Sequence, residues 1–187
     1  MPSQVRLYIS AGPDQDPARE LLGRSLAEFP INVGWVIKRT PDVDSVAECH
    51  LYVLLFGPDI VAPVGLELWW ARRTEKPIIG CYFDGLHTPA GQVFLQENAD
   101  LNWTRCADLP ALRRAVMTHL SRFLLAHAER YGVSLLEAER LRAYVASLDK
   151  TAPAPAPPKA TGAGGGGVIL APGKDEPAGA RLVQDEA

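Results

Sequence analysis

Six consecutive apolar residues, Leu51-Tyr52-Val53-Leu54-Leu55-Phe56, lie between His50 and the turn Gly57-Pro58-Asp59. A strand with one face in water alternates apolar and polar side chains. An unbroken apolar run closed by turn residues describes a strand covered on both faces, as in the interior of a parallel sheet. Such a strand requires helices above and below it.

The rest of the chain supplies them. Val5 to Ile9 reads as a strand ended by Ser10-Ala11-Gly12-Pro13. Asp14 or Asp16 is placed to cap a helix starting near Pro17, in which Leu21, Leu22, Leu26 and Phe29 recur at helical spacing before Pro30. Ile31 to Ile37 reads as a second strand, and Asp44 to Glu48 as a short helix. After the apolar run come a helix over Gly65 to Glu75 and a second buried strand, Ile78 to Phe83. A helix over Thr88 to Asn98, with Val93, Phe94 and Leu95 inward, precedes a strand from Leu101 to Arg105. Asp108 then caps a long helix with the stripe Leu109, Leu112, Val116, Leu120, Phe123, Leu124 and Tyr131, and Gly132 stops it. Ser134-Leu135-Leu136-Glu137 has the capping-box form and opens a last helix to about Leu148. Strands alternating with helices predict a doubly wound α/β domain with right-handed crossovers.

The expected organisation is an α/β domain over residues 1–132, a C-terminal helix over 133–150 and a tail over 151–187. In the tail, 22 of 37 residues are Pro, Gly or Ala and none is aromatic, a composition that cannot offset chain entropy by burial. Its apolar islands, Val168-Ile169-Leu170 and Arg181-Leu182-Val183, suit a tethered docking motif or an end with no role. A net charge of −3 and a pI near 5.8 argue against a nucleic-acid binder. No 18-residue apolar run predicts a membrane span, and MPSQVRLYIS lacks the pattern of a signal peptide. The odd, widely spaced Cys49, Cys81 and Cys106 fit reduced, buried thiols in a cytoplasmic protein. No residue set has metal-ligand spacing, and no cofactor is expected.

Open α/β sheets bind ligands beyond the carboxyl ends of their strands. Three turns fall there: Ser10 to Asp14, Gly57 to Glu67, and Asp84 to His87. Glu67 sits in the first turn of a helix. One reading is simple stabilisation by the helix dipole, and the other is a nucleophile or general acid/base. Trp70, three residues on, shares its side of the helix and reads as a core aromatic or a base-stacking wall. Asp14 reads as an N-cap, an Asx-turn residue or a ligand contact. Arg72 and Arg73 read as a solvated face or a phosphate contact.

The stretch LYVLLFGPDIVAPVGLELWWARRTEKPIIGCYFD, Leu51 to Asp84, resembles the middle of TIR-like domains: apolar strand, loop, Glu-Leu at a helix start, Lys-Pro, apolar strand. The same layout occurs in nucleoside 2-deoxyribosyltransferases, whose first strand resembles Leu7 to Pro13. With its Arg- and Glu-containing first helix, the chain most resembles an uncharacterised TIR-like family often found N-terminal to STAND-type NTPases, over about residues 5–125.

The resemblance implies a flavodoxin-like (TIR-like) parallel sheet of about five strands with helices on both faces. It places Glu67 on the carboxylate that works at an N-glycosidic bond in TIR NAD-glycohydrolases and in deoxyribosyltransferases. Gly12 and Asp14 match a first turn that approaches the ligand. Asp59 falls roughly where deoxyribosyltransferases place a base-contacting aspartate, at longer spacing. The chain departs from the TIR pattern in its short Lys38 to Asp42 loop and in Ala62-Pro63-Val64-Gly65-Leu66, which replaces the usual Ser and Trp-Cys.

Two functions of different class follow. The first is an enzyme that cleaves or transfers an N-glycosidic bond of a nucleoside or NAD-type nucleotide, with Glu67 catalytic and Gly12, Asp14, Asp59 and Trp70 binding substrate. The second is a non-catalytic signalling or assembly module of a bacterial defence or conflict system, meeting a protein partner or itself and tethered by its tail.

Overall fold

The computed structural model describes residues 4–32, 35–38 and 43–150. The expected tail, with its docking motif, lies outside the described residues, as does most of the Lys38 to Asp42 loop.

Five strands alternate with helices: β1 (Val5–Ala11), α1 (Asp16–Ala27), β2 (Trp35–Lys38), α2 (Val43–Glu48), β3 (Leu51–Phe56), α3 (Val64–Arg73), β4 (Ile78–Phe83), α4 (Pro89–Glu97), β5 (Thr104–Cys106), α5 (Leu109–Ala126) and α6 (Leu135–Lys150). The sheet order is β2-β1-β3-β4-β5, and every pairing is parallel. This is the flavodoxin-like doubly wound order, with its switch point between β1 and β3.

All six residues of β3 are buried, as the unbroken run requires. Alternation along β1 and β3 then builds two separate cores. On one face Leu7, Ile9, Leu51, Val53 and Leu55 meet Leu22 and Leu26 of α1 and Leu112, Val116 and Leu120 of α5. Leu141 and Leu148 of α6 join this core. On the other face Tyr8, Tyr52 and Leu54 meet Val46 of α2 and Val64, Leu68 and Ala71 of α3, with Phe94 of α4 alongside.

The helix boundaries have local causes. Asp108 accepts from the Ala111 amide at 2.7 Å and starts α5. Gly132 does not stop α5 as expected: the helix ends at Ala126, and Gly132, with a left-handed φ of +65°, closes the turn that follows. Ser134 and Glu137 close the expected box: the Ser134 amide donates to Glu137 Oε2 at 2.9 Å, and the Glu137 amide to Ser134 Oγ at 3.3 Å.

Some expectations are corrected. Neither Asp14 nor Asp16 caps α1: a short 3-10 turn, Pro13–Gln15, comes first, Asp14 lies in it, and Asp16 is already the first residue of the helix. The second strand begins at Trp35, because Pro30 and Ile31 still round the corner after α1. The last strand begins at Thr104, since Ala99–Leu101 forms a 3-10 turn and Asn102 takes a left-handed φ of 49°. Val93 faces solvent, while Phe94 carries the inward contact of α4 by stacking on Phe56 at 5.1 Å. Cys49, Cys81 and Cys106 are free and buried.

Candidate functional site

Glu67 belongs to the same helical stripe as Val64, Leu68 and Ala71, the residues that face the sheet. A carboxylate in that stripe is carried into the interior, and Glu67 is only 4% exposed. A buried carboxylate needs donors. They come from β1, where Tyr8 and Ser10 are two residues apart and so project to the same face. The Tyr8 hydroxyl donates to Glu67 Oε1 at 2.9 Å, and the Ser10 hydroxyl donates to Oε2 at 2.5 Å. One oxygen is thus held by each hydroxyl, which fixes the plane of the carboxylate and leaves lone pairs for a further contact.

Register adds a third hydroxyl. Tyr8 is paired with Tyr52 across β1 and β3, and the two rings stack at 5.7 Å and 8°. The Tyr52 hydroxyl is buried beside the Ser10 hydroxyl. Burial is the largest cause that raises the pKa of this phenol far above its usual value. The Ser10 hydroxyl opposes the shift and the negative charge of Glu67 adds to it. Tyr52 therefore stays protonated beside Glu67.

Among the described residues Glu67 has no ion pair. Arg72 pairs instead with Asp100 at 2.8 Å, and the Arg73 guanidinium lies over the Trp69 ring at 5.4 Å. Glu67 lines a cavity of about 220 Å³ together with Ser10, Gly12, Pro13, Arg19 and the Val61-to-Val64 loop. Arg19 braces this wall: Nη2 donates to the Ala11 carbonyl at 2.5 Å, Nη1 meets Asp16 at 3.2 Å, and the buried Nε has no partner.

The other side of the Pro13–Gln15 turn opens on a second cavity of about 360 Å³, lined by Asp14, Gly57, Phe83, Asp84, Leu86 and His87 among others. Asp14 stands between the two. A Cβ at Gly12 would lie 2.5 Å from Asp14 Oδ1, and one at Gly57 would collide with Oδ2. At both positions a side chain would have to turn the exposed Asp14 carboxylate aside. His87 is half-buried in this second cavity. Its Nδ1 lies 3.1 Å from the Gly57 carbonyl, which can only accept, so the proton of that pair is on Nδ1. Its Nε2 is buried without a partner.

Of the expected residues, Glu67 and Gly12 are brought together at one cavity, and Asp14 faces its neighbour. Asp59 lines neither; its Oδ1 accepts from the Ile60 amide at 2.7 Å. Trp70 lines neither and packs half-buried against the core under α3. Tyr8, Tyr52 and Arg19 escape a sequence reading, and Ser10 is legible only as the start of the Ser10 to Asp14 turn.

Flavodoxins, whose sheets have this order, take flavin mononucleotide at the β1/β3 switch point. The first turn here does not fit its phosphate. Pro13 and Pro17 have no amide proton, the Gln15 amide is spent on the Gly12 carbonyl at 3.0 Å, and Asp14 and Asp16 place negative charge where the phosphate would lie. Among the described residues no group of three or more His, Cys, Asp or Glu is placed to hold a metal, and no helix is long and apolar enough to cross a membrane.

Topology and site together define a flavodoxin-like doubly wound α/β domain with a hydroxyl-bound carboxylate beside its switch point. No protein-family model matches the chain, and no curated protein matches it. Among solved structures it is similar to a flavodoxin from the domain Archaea, at 10% identity over 74% of this chain and 99% of that one, with a TM-score of 0.37. It is also similar to the flavodoxin-like domain of a Synechococcus protein, at 18% identity over 60% of this chain and 92% of that one, with a TM-score of 0.36. Strand order and parallel pairing, rather than these overlaps, carry the fold assignment.

Proposed function

We propose that this TIR-like, deoxyribosyltransferase-like domain cleaves or transfers the N-glycosidic bond of a nucleoside or NAD-type nucleotide, with Glu67 as its catalytic carboxylate. The observation that carries the reading is the burial of Glu67 in the wall of a cavity next to Gly12, held by two hydroxyls and no cation. A carboxylate placed only to stabilise a helix end sits on the surface, where water or a basic side chain satisfies it.

The chemistry suits the group. As the bond from C1′ to the base nitrogen breaks, its electron pair leaves with the base and positive charge develops on the ribose. A fixed carboxylate stabilises that charge or captures C1′ as an ester, and water or a second base then takes the sugar. Tyr8 and Ser10 hold the carboxylate in one orientation, so little reorganisation is needed when the charge appears.

The test is to incubate the purified chain with NAD and, separately, with deoxynucleosides, and to follow release of free base. Release above the uncatalysed background supports the reading. Its absence with every substrate, at high protein concentration as well, rejects it.

The second reading, a non-catalytic assembly module, is favoured by a different observation. The outer face of α3 exposes Leu66 (55%) and Trp69 (50%) one turn apart. Under that reading Trp69→Ser changes self-association or partner capture and leaves Glu67 without a task.

A further inference from the structure

On the face of the sheet away from Glu67, α1, the first turn of α5 and the end of α6 meet around a hollow of about 350 Å³. Leu21, Leu109 and Leu148, one from each helix, give it an apolar lining. Arg24, Arg113 and Arg114 line it as well, against a single carboxylate, Glu20. Helical spacing explains the arrangement. Leu21 and Arg24 are one turn apart on α1, as are Leu109 and Arg113 on α5, so each helix offers an apolar residue with a guanidinium beside it.

The three arginines are not equivalent. Arg113 is engaged, with Nε donating to Ser25 Oγ at 3.1 Å and Nη2 lying 3.8 Å from Glu28. Arg24 and Arg114 make no hydrogen bond or ion pair among the described residues, although Arg114 is half-buried. Surface guanidiniums without partners are ordinary when water surrounds them. Two of them beside a concave apolar lining, in a chain of net charge −3, form a site whose charge is unmatched.

We propose that this hollow binds a small organic anion with an apolar body, a medium-chain carboxylate. The chain would cover Leu21, Leu109 and Leu148, and the carboxylate would accept from Arg24 and Arg114. The volume lies at the small end of ligand sites. A hollow bounded by three helices suits a short molecule better than an extended peptide. A planar carboxylate matches the guanidinium fork. The inference is independent of the glycosidic reading, because the hollow and Glu67 lie on opposite faces of the sheet.

The probe is octanoate, titrated into the full chain and followed by amide chemical shifts. The expected result is a saturable shift centred on Leu21, Leu109 and Leu148. The double variant Arg24→Gln with Arg114→Gln should weaken binding by about tenfold or more while its amide spectrum stays folded. 1-Octanol, which keeps the chain and loses the charge, and acetate, which keeps the charge and loses the chain, should each bind far more weakly. Glu67→Gln should bind octanoate as the wild type does. Shifts that do not saturate or that centre elsewhere overturn the proposal. So does 1-octanol binding as tightly as octanoate, or the arginine variant binding unchanged. A Leu- and Glu-containing peptide that occupies the hollow while octanoate fails to compete would also overturn it, in favour of a protein partner.

Discussion

Ser10 on β1 donates its hydroxyl proton to Glu67 on α3 at 2.5 Å, across 57 residues of chain and inside the apolar layer between helix and sheet. Together with the Tyr8 contact these are the side-chain donors to Glu67 among the described residues. Removing either leaves a buried carboxylate oxygen short of a donor. Tyr8→Phe and Ser10→Ala should each lower stability by about 1–3 kcal/mol in urea unfolding. In a Glu67→Leu background, where no charge needs a donor, both effects should shrink sharply. Equal losses in the two backgrounds would mean that the hydroxyls matter for packing alone.

Asp14 fills the space beside both Gly12 and Gly57. Gly57→Ala should therefore turn the exposed Asp14 carboxylate aside and destabilise the domain by less than about 1 kcal/mol. Shortening the obstructing side chain should relieve it, so Gly57→Ala with Asp14→Gly should regain most of the loss. Failure of the second change to rescue the first would place the strain in the backbone instead.

Two histidines give the domain a pH dependence of definite sign. Burial first, and then neighbouring positive charge, holds His50 and His119 below their ordinary value of 6.5; the charges are Arg130, Arg6 and Lys76 for His50, and Arg122 for His119. In the window just below 6.5 the unfolded chain binds more protons at these sites than the folded chain does. Their contribution to stability is thus complete above pH 6.5 and declines as the pH falls from 6.5 toward the lower folded values. Urea midpoints should drop between pH 7.5 and pH 5.5, and His119→Gln should reduce that drop.

The capping box of α6 predicts a separate acid response. The Ser134 amide and then its hydroxyl hold the Glu137 carboxyl below its usual 4.5. Its contribution is present above that value and lost as the pH falls through the lower folded one. Ser134→Ala should destabilise α6 by about 1 kcal/mol, read as faster amide exchange over its first turn.

Elements set by local chemistry were legible in the sequence. The apolar run of β3 demands cover on both faces, and Asp108 and Ser134 cap the helices that follow them, whereas Gly132 closes a turn beyond the end of α5 at Ala126 rather than stopping the helix. Boundaries that depend on tertiary packing were not. Trp103 lies against Gly80, where a Cβ would approach it to 2.8 Å, so the chain before β5 is shaped by β4 rather than by its own residues. Glu67 could be singled out from its position at a helix start. Its donors could not, because Tyr8 and Ser10 reach it only through the register of β1 beside β3 and the seating of α3 above them. Asp59 and Trp70 look close to Glu67 in sequence, yet a bond to the Ile60 amide and a place under α3 keep them out of its cavity.

Catalysis by Glu67 is tested most directly by comparing base release from NAD and from deoxynucleosides by the wild type and by Glu67→Gln, whose amide oxygen can accept from one of the two hydroxyls while its NH2 donates to the other. The wild type should release base and the variant should lose about 100-fold or more of that rate, with circular dichroism and melting temperature little changed. Release that persists undiminished in the folded variant, or that never appears in the wild type, would contradict catalysis by Glu67.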